Sequence, residues 1–165
     1  MIDCRWATAD EFPSLATFFA RIIALDSSYV SHGEIQTGLS LDGVDWAPDL
    51  EARMAEDFAA LGVERSVAVA VGPDGVAGAA ILLWETTPRV SFMVIEDLAV
   101  DPGMRSHGVG AALVAFAEQE GIARGMKWAF LESGLENEGA HRFFERYGFH
   151  PMSKTFAKRL SPTQA

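Results

Sequence analysis

Residues 95–114, IEDLAVDPGMRSHGVGAALV, predict a strand that runs into a glycine-rich turn and then a helix. The strand half is β-branched and aliphatic but carries two acids, Glu96 and Asp97, and the turn contains Gly108 and Gly110. Backbone amides at the start of a helix bind phosphate groups, and glycine lets an anion come close to them. The segment therefore predicts a site for an anionic cofactor, with a carboxylate only a few residues away.

The rest of the chain contains further strand and helix patterns around this segment. Its 165 residues have the length of one domain, which we expect over residues 1–165. Residues 27–48 interrupt the pattern with glycine, serine and aspartate, and a loop of this length is typical of a functional segment. The predicted order is strand 2–6, helix 9–25, helix 49–61, strands 66–71, 76–85 and 90–100, helix 108–124, strand 127–133, helix 137–147 and strand 149–160.

The charge of the chain argues against some classes of partner. A net charge of −10 disfavours nucleic acid, whose phosphates require clustered Lys and Arg. Residues 1–100 carry 5 basic and 16 acidic side chains, whereas residues 101–165 carry 8 and 7. An anionic cofactor therefore fits the later part of the chain, and a cation fits the earlier part.

Composition also bounds location and metal chemistry. No stretch approaches the roughly 18 apolar residues of a membrane span, and the N-terminus lacks a signal core. We therefore expect a cytoplasmic protein with no membrane partner. The single cysteine, Cys4, and four histidines without ligand spacing predict no metal site.

The glycine turn has three interpretations. The first is a helix start in which small residues allow close packing. A nucleotide-binding loop is the second, but the dinucleotide fingerprint has Leu113 at its third glycine and the Walker loop lacks its Gly-Lys-Ser/Thr. The third is a wider pattern, L-x-V-x-P-x-x-R-x-x-G-x-G, met by Leu98, Val100, Pro102, Arg105, Gly108 and Gly110. A second pattern, N-x-x-A-x-x-F-[YF]-E-x-x-G-F, is met downstream by Asn137, Ala140, Phe143, Phe144, Glu145, Gly148 and Phe149.

These two patterns resemble the acetyl-CoA signature and a downstream motif of the GNAT superfamily of N-acetyltransferases. The resemblance covers residues 66–158 well and the N-terminal third only in outline. It implies a GNAT-type α/β (α+β) fold, with a mixed, mostly antiparallel sheet splayed between strands 4 and 5 and flanked by helices.

The same resemblance implies acetyl-CoA as the cofactor. Amides of the turn would bind its pyrophosphate, and main-chain groups of Leu98 and Val100 would pair with the pantetheine arm. The Leu98 amide would face the thioester oxygen. The cofactor-binding residues implied in this way are Leu98, Ala99, Val100, Met104, Arg105, Ser106, His107, Gly108, Val109, Gly110, Asn137 and Phe144.

Transfer to an amine needs a base, because alkyl ammonium groups are protonated near pH 7. The resemblance implies Glu96 in that role, with the alternative that Glu96 only binds a cationic substrate. Asp97 should point to the opposite face if the strand is regular. Many relatives have a tyrosine that protonates the leaving thiolate where this chain has Phe144. Tyr147, one helical turn away, is the catalytic candidate in its place, with structural packing as the alternative.

In this family the acceptor pocket is formed mainly by the first helices and the loop between them, here residues 27–48. That stretch is acidic and aromatic, which is typical of a cation site, although acidic loops also occur on merely soluble surfaces. We expect a small cationic primary amine that attacks the thioester directly. The substrate-binding candidates are Tyr29, Glu34, Trp46, Glu85, Glu96 and Ser133.

The predicted function is therefore an acetyl-CoA-dependent N-acetyltransferase. A catalytically silent acyl-CoA-binding or regulatory module, and a protein or peptide N-acetyltransferase, both stay open as alternatives. A homodimer also stays open, because many relatives are dimers.

Overall fold

A five-stranded sheet forms the centre of the protein, and the computed structural model describes residues 1–161. The first three strand pairings are antiparallel, and the last pairing is parallel. The strands, in sheet order, are β1 (Asp3–Trp6), β2 (Arg65–Gly72), β3 (Gly75–Thr86), β4 (Ser91–Val100) and β5 (Trp128–Leu131). The helices are α1 (Phe12–Ile23), α2 (His32–Thr37), α3 (Leu50–Ala59), α4 (Val109–Ala123) and α5 (Glu138–Arg146). The predicted mixed, mostly antiparallel sheet with flanking helices is confirmed.

Helices cover both faces of this sheet. On one face, Phe19 of α1 and Phe58 of α3 are fully buried and pack 5.7 Å apart, ring centre to ring centre. On the other face, Leu113 of α4 is fully buried in a second core cluster. β2 presents Ala68 and Ala70 to this second cluster, and such small side chains let α4 approach the sheet closely. The sheet is therefore the shared wall of two apolar layers.

β4 and β5 separate part of the way along their length. β5 pairs only with Phe92, Met93, Val94 and Ile95 of β4. In the described chain, residues 96–100 of β4 have no strand beside them on this edge. The predicted splay between the fourth and fifth strands is confirmed, and it leaves an opening lined by main chain.

β4 also contains a β-bulge, which no sequence pattern indicated. Ile81 of β3 pairs with Asp97 while its neighbour pairs with Ile95, so Glu96 is an extra residue in β4. Because side chains alternate along a strand, an extra residue exchanges the faces of everything beyond it. Ile95 accordingly belongs to the core under α4, whereas Ala99 belongs to the core under α1 and α3.

The predicted last strand is wrong. Residues 149–161 form neither helix nor strand, and from residue 150 onward every side chain in this segment is exposed. Pro151 has no N–H to donate to a strand ladder. Arg159 instead donates from Nη2 to the carbonyl oxygen of Leu41, at 3.0 Å.

Residues 27–48 are more ordered than a loop. They contain a short 3₁₀ turn, Ser27–Tyr29, and then α2. Ser31 and Glu34 form a capping box at the start of α2, and Gly38 ends the helix with φ of 77°.

The single domain predicted over residues 1–165 includes residues 162–165, which lie outside the described residues, and it stays a prediction. Within residues 1–161, no helix is long and apolar enough to cross a membrane.

Candidate active site

A cavity of about 1220 Å³ opens where β4 and β5 diverge. One part of its lining, the glycine-turn wall, consists of Met104, Arg105, Ser106, Gly108, Val109, Gly110 and Ala111. Another part, the carboxylate wall, consists of Glu34, Asp57, Glu96 and Asp97. Leu98 and Val100 also line the cavity, and they link the two walls along β4. The glycine turn and a cluster of acids therefore share one continuous space.

The glycine-turn wall is held by the residues that precede it. Asp101 accepts a hydrogen bond from the Gly103 amide at 2.9 Å, and its other carboxylate oxygen accepts one from Arg21 at 3.0 Å. These contacts fix the short 3₁₀ turn, Pro102–Met104, at the end of β4. The strand is thereby anchored to α1 at the point where the glycine turn begins.

The turn then takes two residues into the left-handed region before α4 starts. Ser106 has φ of 64° and Gly108 has φ of 80°. Gly108 is the N-cap of α4 and has no side chain to cap it, so the first amides of the helix are not occupied by a cap. Together with the helix dipole, these amides favour an anion in the cavity.

The two motif positions, Gly108 and Gly110, are occupied by glycine for different structural reasons. A Cβ at Gly108 would have no heavy atom within 4 Å, so this position needs glycine for its left-handed backbone. At Gly110 a Cβ would lie 3.0 Å from Cζ of Phe143, a tight contact that would require the Phe143 ring on α5 to move slightly. A substitution at Gly108 thus tests the turn, whereas one at Gly110 tests helix packing.

Most of the predicted cofactor residues line the cavity, but Ala99 and His107 do not. Ala99 is fully buried in the core under α1 and α3, because the bulge turns it away from α4. The His107 side chain turns back to the carbonyl oxygen of Arg105, 2.8 Å from its Nδ1. Asn137 lines the cavity and also caps α5, since its side chain accepts from the Ala140 amide at 3.2 Å.

The carboxylate wall includes Glu96, which is bound by Arg65 of β2. Arg65 donates from Nε and Nη2 to the two carboxylate oxygens of Glu96, at 2.7 and 2.9 Å. Its remaining nitrogen, Nη1, donates to Glu64 at 2.6 Å. Both oxygens of Glu96 are therefore engaged by one guanidinium group.

Asp97 lies beside Glu96 but has no such partner. Among the described residues no donor hydrogen-bonds to its carboxylate. The pKa of Asp97 is raised to about 7. Burial is the largest cause, and the nearby carboxylates of Glu34, Glu96 and Asp57 add to it. The expectation that Asp97 faces away from Glu96 assumed a regular strand, and the bulge removes that condition, so that both residues line the cavity.

The other two acids of the wall belong to helices. Glu34 accepts from the amide and hydroxyl of Ser31, at 2.6 and 2.7 Å, within the α2 capping box. Asp57 lies on α3, and burial followed by the charge of Glu56 raises the pKa of its carboxyl. A bound cation near Asp57 would offset this effect, because an opposite charge favours the ionised carboxylate.

Segments on either side of the cavity contact each other. His32 Nε2 lies 3.1 Å from Oε2 of Glu132, which joins α2 to the loop after β5. Gly134 in that loop passes so close to the Ser28 carbonyl that a Cβ would clash with it. Ser133 lies between Glu132 and Gly134 in this loop, and its buried hydroxyl has no hydrogen-bond partner in the described chain.

Four of the six substrate-binding candidates line the cavity, namely Tyr29, Glu34, Glu96 and Ser133. Trp46 does not, because its ring packs against the core under α1 and α3. Glu85 does not either, because it pairs with Phe92 near the end of β3 that lies away from Leu98. Sequence analysis had no signal for Asp57 and Arg65, which come from elements outside the motifs.

The two α5 positions considered for a proton donor to the leaving thiolate also line the cavity. Phe144 and Tyr147 both do so, and each ring packs about 5 Å from Phe143, at 5.0 and 4.9 Å between ring centres. Tyr147 stays a candidate proton donor, and its contact with Phe143 is also compatible with packing.

A family model described as the acetyltransferase (GNAT) family matches residues 36–149. In sequence, the chain is similar to the aminoalkylphosphonate N-acetyltransferase of Salmonella typhimurium, with 35% identity over 66 residues. That match covers 40% of this chain and 43% of the relative, so the chain spans less than half the length of this curated relative.

The fold is similar to that of solved proteins over nearly the whole chain. A transcriptional regulator from Bacillus halodurans matches with a TM-score of 0.69 and 18% identity, over 97% of this chain and 100% of that one. The aminoglycoside N-acetyltransferase AAC(6')-Iy, solved in complex with CoA, matches with a TM-score of 0.69 and 13% identity. This second match covers 97% of this chain and 95% of that one. At these identities the likeness establishes a shared fold.

Proposed function

The chain belongs to the GNAT family of acetyltransferases, and from this we propose that it transfers an acetyl group from acetyl-CoA to a primary amine of a small cationic molecule. One observation carries the proposal. A single cavity joins an amide-lined turn at a helix start to a wall of four carboxylates, across the opening between β4 and β5.

The residues of the cavity fit coenzyme A by their chemistry. The glycine-turn wall offers main-chain N–H groups at the start of α4, where a pyrophosphate is favoured without any lysine. Leu98 and Val100 pair with β3 but have no strand on the edge that faces β5, where an extended pantetheine arm can pair as an added strand does. The Leu98 amide is the proposed partner of the thioester oxygen.

The carboxylate wall supports a cationic acceptor. Its four acids face one paired arginine, Arg65, so the wall keeps an excess of negative charge. Tyr29 adds an aromatic surface to the same lining. Two proteins to which this chain is similar are named for aminoalkylphosphonate and aminoglycoside acetylation, and both names describe acceptors that carry amines.

The proposed reaction is direct transfer. The amine nitrogen forms a bond to the acetyl carbon, the bond from that carbon to sulfur breaks, and sulfur leaves with the electron pair as a thiolate. The adjacent acids Glu96 and Asp97 both line the cavity, and they are the candidates to take a proton from the entering ammonium. No cysteine lines the cavity, which favours direct transfer over an acyl-enzyme.

The experiment is a thiol-release assay with acetyl-CoA and a panel of acceptors. The panel contains a diamine, an aminoglycoside, an aminoalkylphosphonate, a free amino acid and a peptide with a free N-terminus. Release of free thiol with small amines supports the proposal. Release with the peptide alone indicates a peptide acetyltransferase, and coenzyme A binding without release from any acceptor indicates a silent module.

A matched pair of glycine variants tests the cofactor site separately. Gly108→Ala and Gly75→Ala both force alanine into a positive φ, 80° and 113°, with nothing within 4 Å of the added Cβ. Alanine is strained at either φ, and the left-handed backbone at Gly108 costs it roughly 1–2 kcal/mol, so both variants should lose stability. Only Gly108→Ala should weaken coenzyme A binding by calorimetry, by about fivefold or more. Equal affinities in the two variants would contradict the assigned role of the turn.

A further inference from the structure

We propose that Asp97, and not Glu96, accepts the proton of the entering ammonium, and that Arg65 holds Glu96 as a positioning partner. The inference rests on the proposed acetyl transfer and assigns one of its steps to a particular carboxylate. Three features of the described residues carry it, which are the bulge in β4, the ion pair of Glu96 and the surroundings of Asp97.

The bulge decides which side chains reach the cavity. In a regular strand Asp97 would lie on the face opposite Glu96, and only one of the two acids would meet the acceptor. Because Glu96 is the extra residue of the bulge, both acids line the cavity. Asp97 is partly buried in the carboxylate wall, next to Leu98, whose amide is the proposed partner of the thioester oxygen.

Glu96 is poorly suited to take a proton. Arg65 occupies both of its oxygens at 2.7 and 2.9 Å, so neither oxygen of Glu96 is free to receive a proton unless a guanidinium hydrogen bond is given up. Protonating Glu96 would break this contact and leave the charge of Arg65 with Glu64 alone. The pair therefore holds the bulge residue in place and leaves the neighbouring acid free.

The surroundings of Asp97 favour proton uptake. The charged groups that face it are Glu34 from α2, Asp57 from α3 and Glu96 from its own strand, while Ile81 pairs with it on β3. Arg65, from β2, donates its hydrogen bonds on this side to Glu96 and none to Asp97 among the described residues. Burial first, and then these negative neighbours, raise the pKa of Asp97 to about 7, which suits a base working near neutral pH.

The step balances as follows. The ammonium gives one proton to an oxygen of Asp97 and becomes a neutral amine, which attacks the acetyl carbon. After the new carbon–nitrogen bond forms, nitrogen loses a second proton, which passes through solvent to the leaving thiolate. Asp97 then returns its proton to solvent, so each turnover releases one proton overall and regenerates the carboxylate.

The test compares Asp97→Asn with Glu96→Gln on the full chain, using the best amine from the panel. We expect Asp97→Asn to lower kcat by at least 100-fold, the usual size of a general-base effect, and to remove the acid limb of kcat/KM against pH. Glu96→Gln should lower kcat less than tenfold and move that limb to lower pH, because it removes a negative neighbour of Asp97. Asp74→Asn, in the exposed β2–β3 turn, is the matched control and should change neither.

The opposite result, in which Glu96→Gln loses the limb and Asp97→Asn keeps it, would overturn the inference. A ¹³C NMR titration of the carboxyl groups in the protein alone is a second readout, and it does not depend on turnover. A carboxyl that titrates near pH 7 in the unsubstituted chain and is missing from Asp97→Asn supports the assignment, and its absence overturns it. If no amine is acetylated, the proposed function fails, and the titration still decides the state of Asp97.

Discussion

Replacing Asp97 by asparagine should stabilise the protein at neutral pH while removing its proposed base. The pKa of this carboxyl is about 7 in the folded protein, against an ordinary value of 3.8. Between these values the folded state holds a proton that the unfolded state has lost, so the free energy of unfolding falls as pH rises and levels off above pH 7. About three pH units correspond to about 4 kcal/mol. The cavity is open to water, so we take this figure as an upper limit and expect about half of it.

Asparagine has nearly the shape of aspartic acid and carries no charge. The free energy of unfolding of Asp97→Asn should therefore not fall in this way as pH rises. For a chain of this size, 2 kcal/mol corresponds to a rise in Tm of roughly 4–8 °C. We expect that rise in thermal unfolding at about pH 8, and we expect it to nearly disappear at about pH 4, where the carboxyl is protonated in the folded protein and about half protonated in the unfolded chain. Asp74→Asn is the control and should change little at either pH. A variant that is less stable at pH 8, or a difference that does not depend on pH, would refute the reasoning.

Three further predictions concern other parts of the molecule. Arg5, and then the Thr8 amide, lower the pKa of Glu11 to about 2, so Glu11→Gln should lower Tm at pH 7, with a difference that vanishes as pH falls from about 4.5 to about 2 in thermal scans. Phe19→Ala should cost about 3–5 kcal/mol in urea unfolding, because the ring is fully buried between α1 and α3. Phe144→Tyr should raise kcat up to about tenfold, since it adds a proton donor in the cavity for a thiolate that already leaves readily. An unchanged or lower kcat would contradict that role of the position.

The glycine turn could be predicted from sequence because its chemistry is local. Gly108 follows Arg105 and Ser106 and precedes a helix pattern, and the structure has it in the left-handed backbone that such a turn requires. The prediction that Trp46 lines the acceptor pocket rests on its aromatic character and on its place in residues 27–48. That character fits a core position equally well, and the tertiary fold turns the ring into the core.

The last strand was predicted over residues 149–160 from the local sequence despite Pro151, and a local sequence reports only that a segment is able to pair. Whether it does pair depends on a partner edge in the fold, which sequence does not contain. Arg65 is a similar case, because it lies 31 residues before Glu96 and only the antiparallel sheet brings the two together. Long-range contacts of this kind decide the electrostatics of the site, and local patterns do not record them.

The bulge at Glu96 ties the fold to the chemistry of the site. Two adjacent acids in a regular strand would send one carboxylate toward the core, where its charge could not be solvated. One extra residue turns both acids toward the cavity, but it also places two like charges side by side. Arg65 compensates one of them by binding Glu96 through both oxygens. Asp97 is then the member of the pair whose charge is free to change, and this is the property that accepting a proton from a bound ammonium demands.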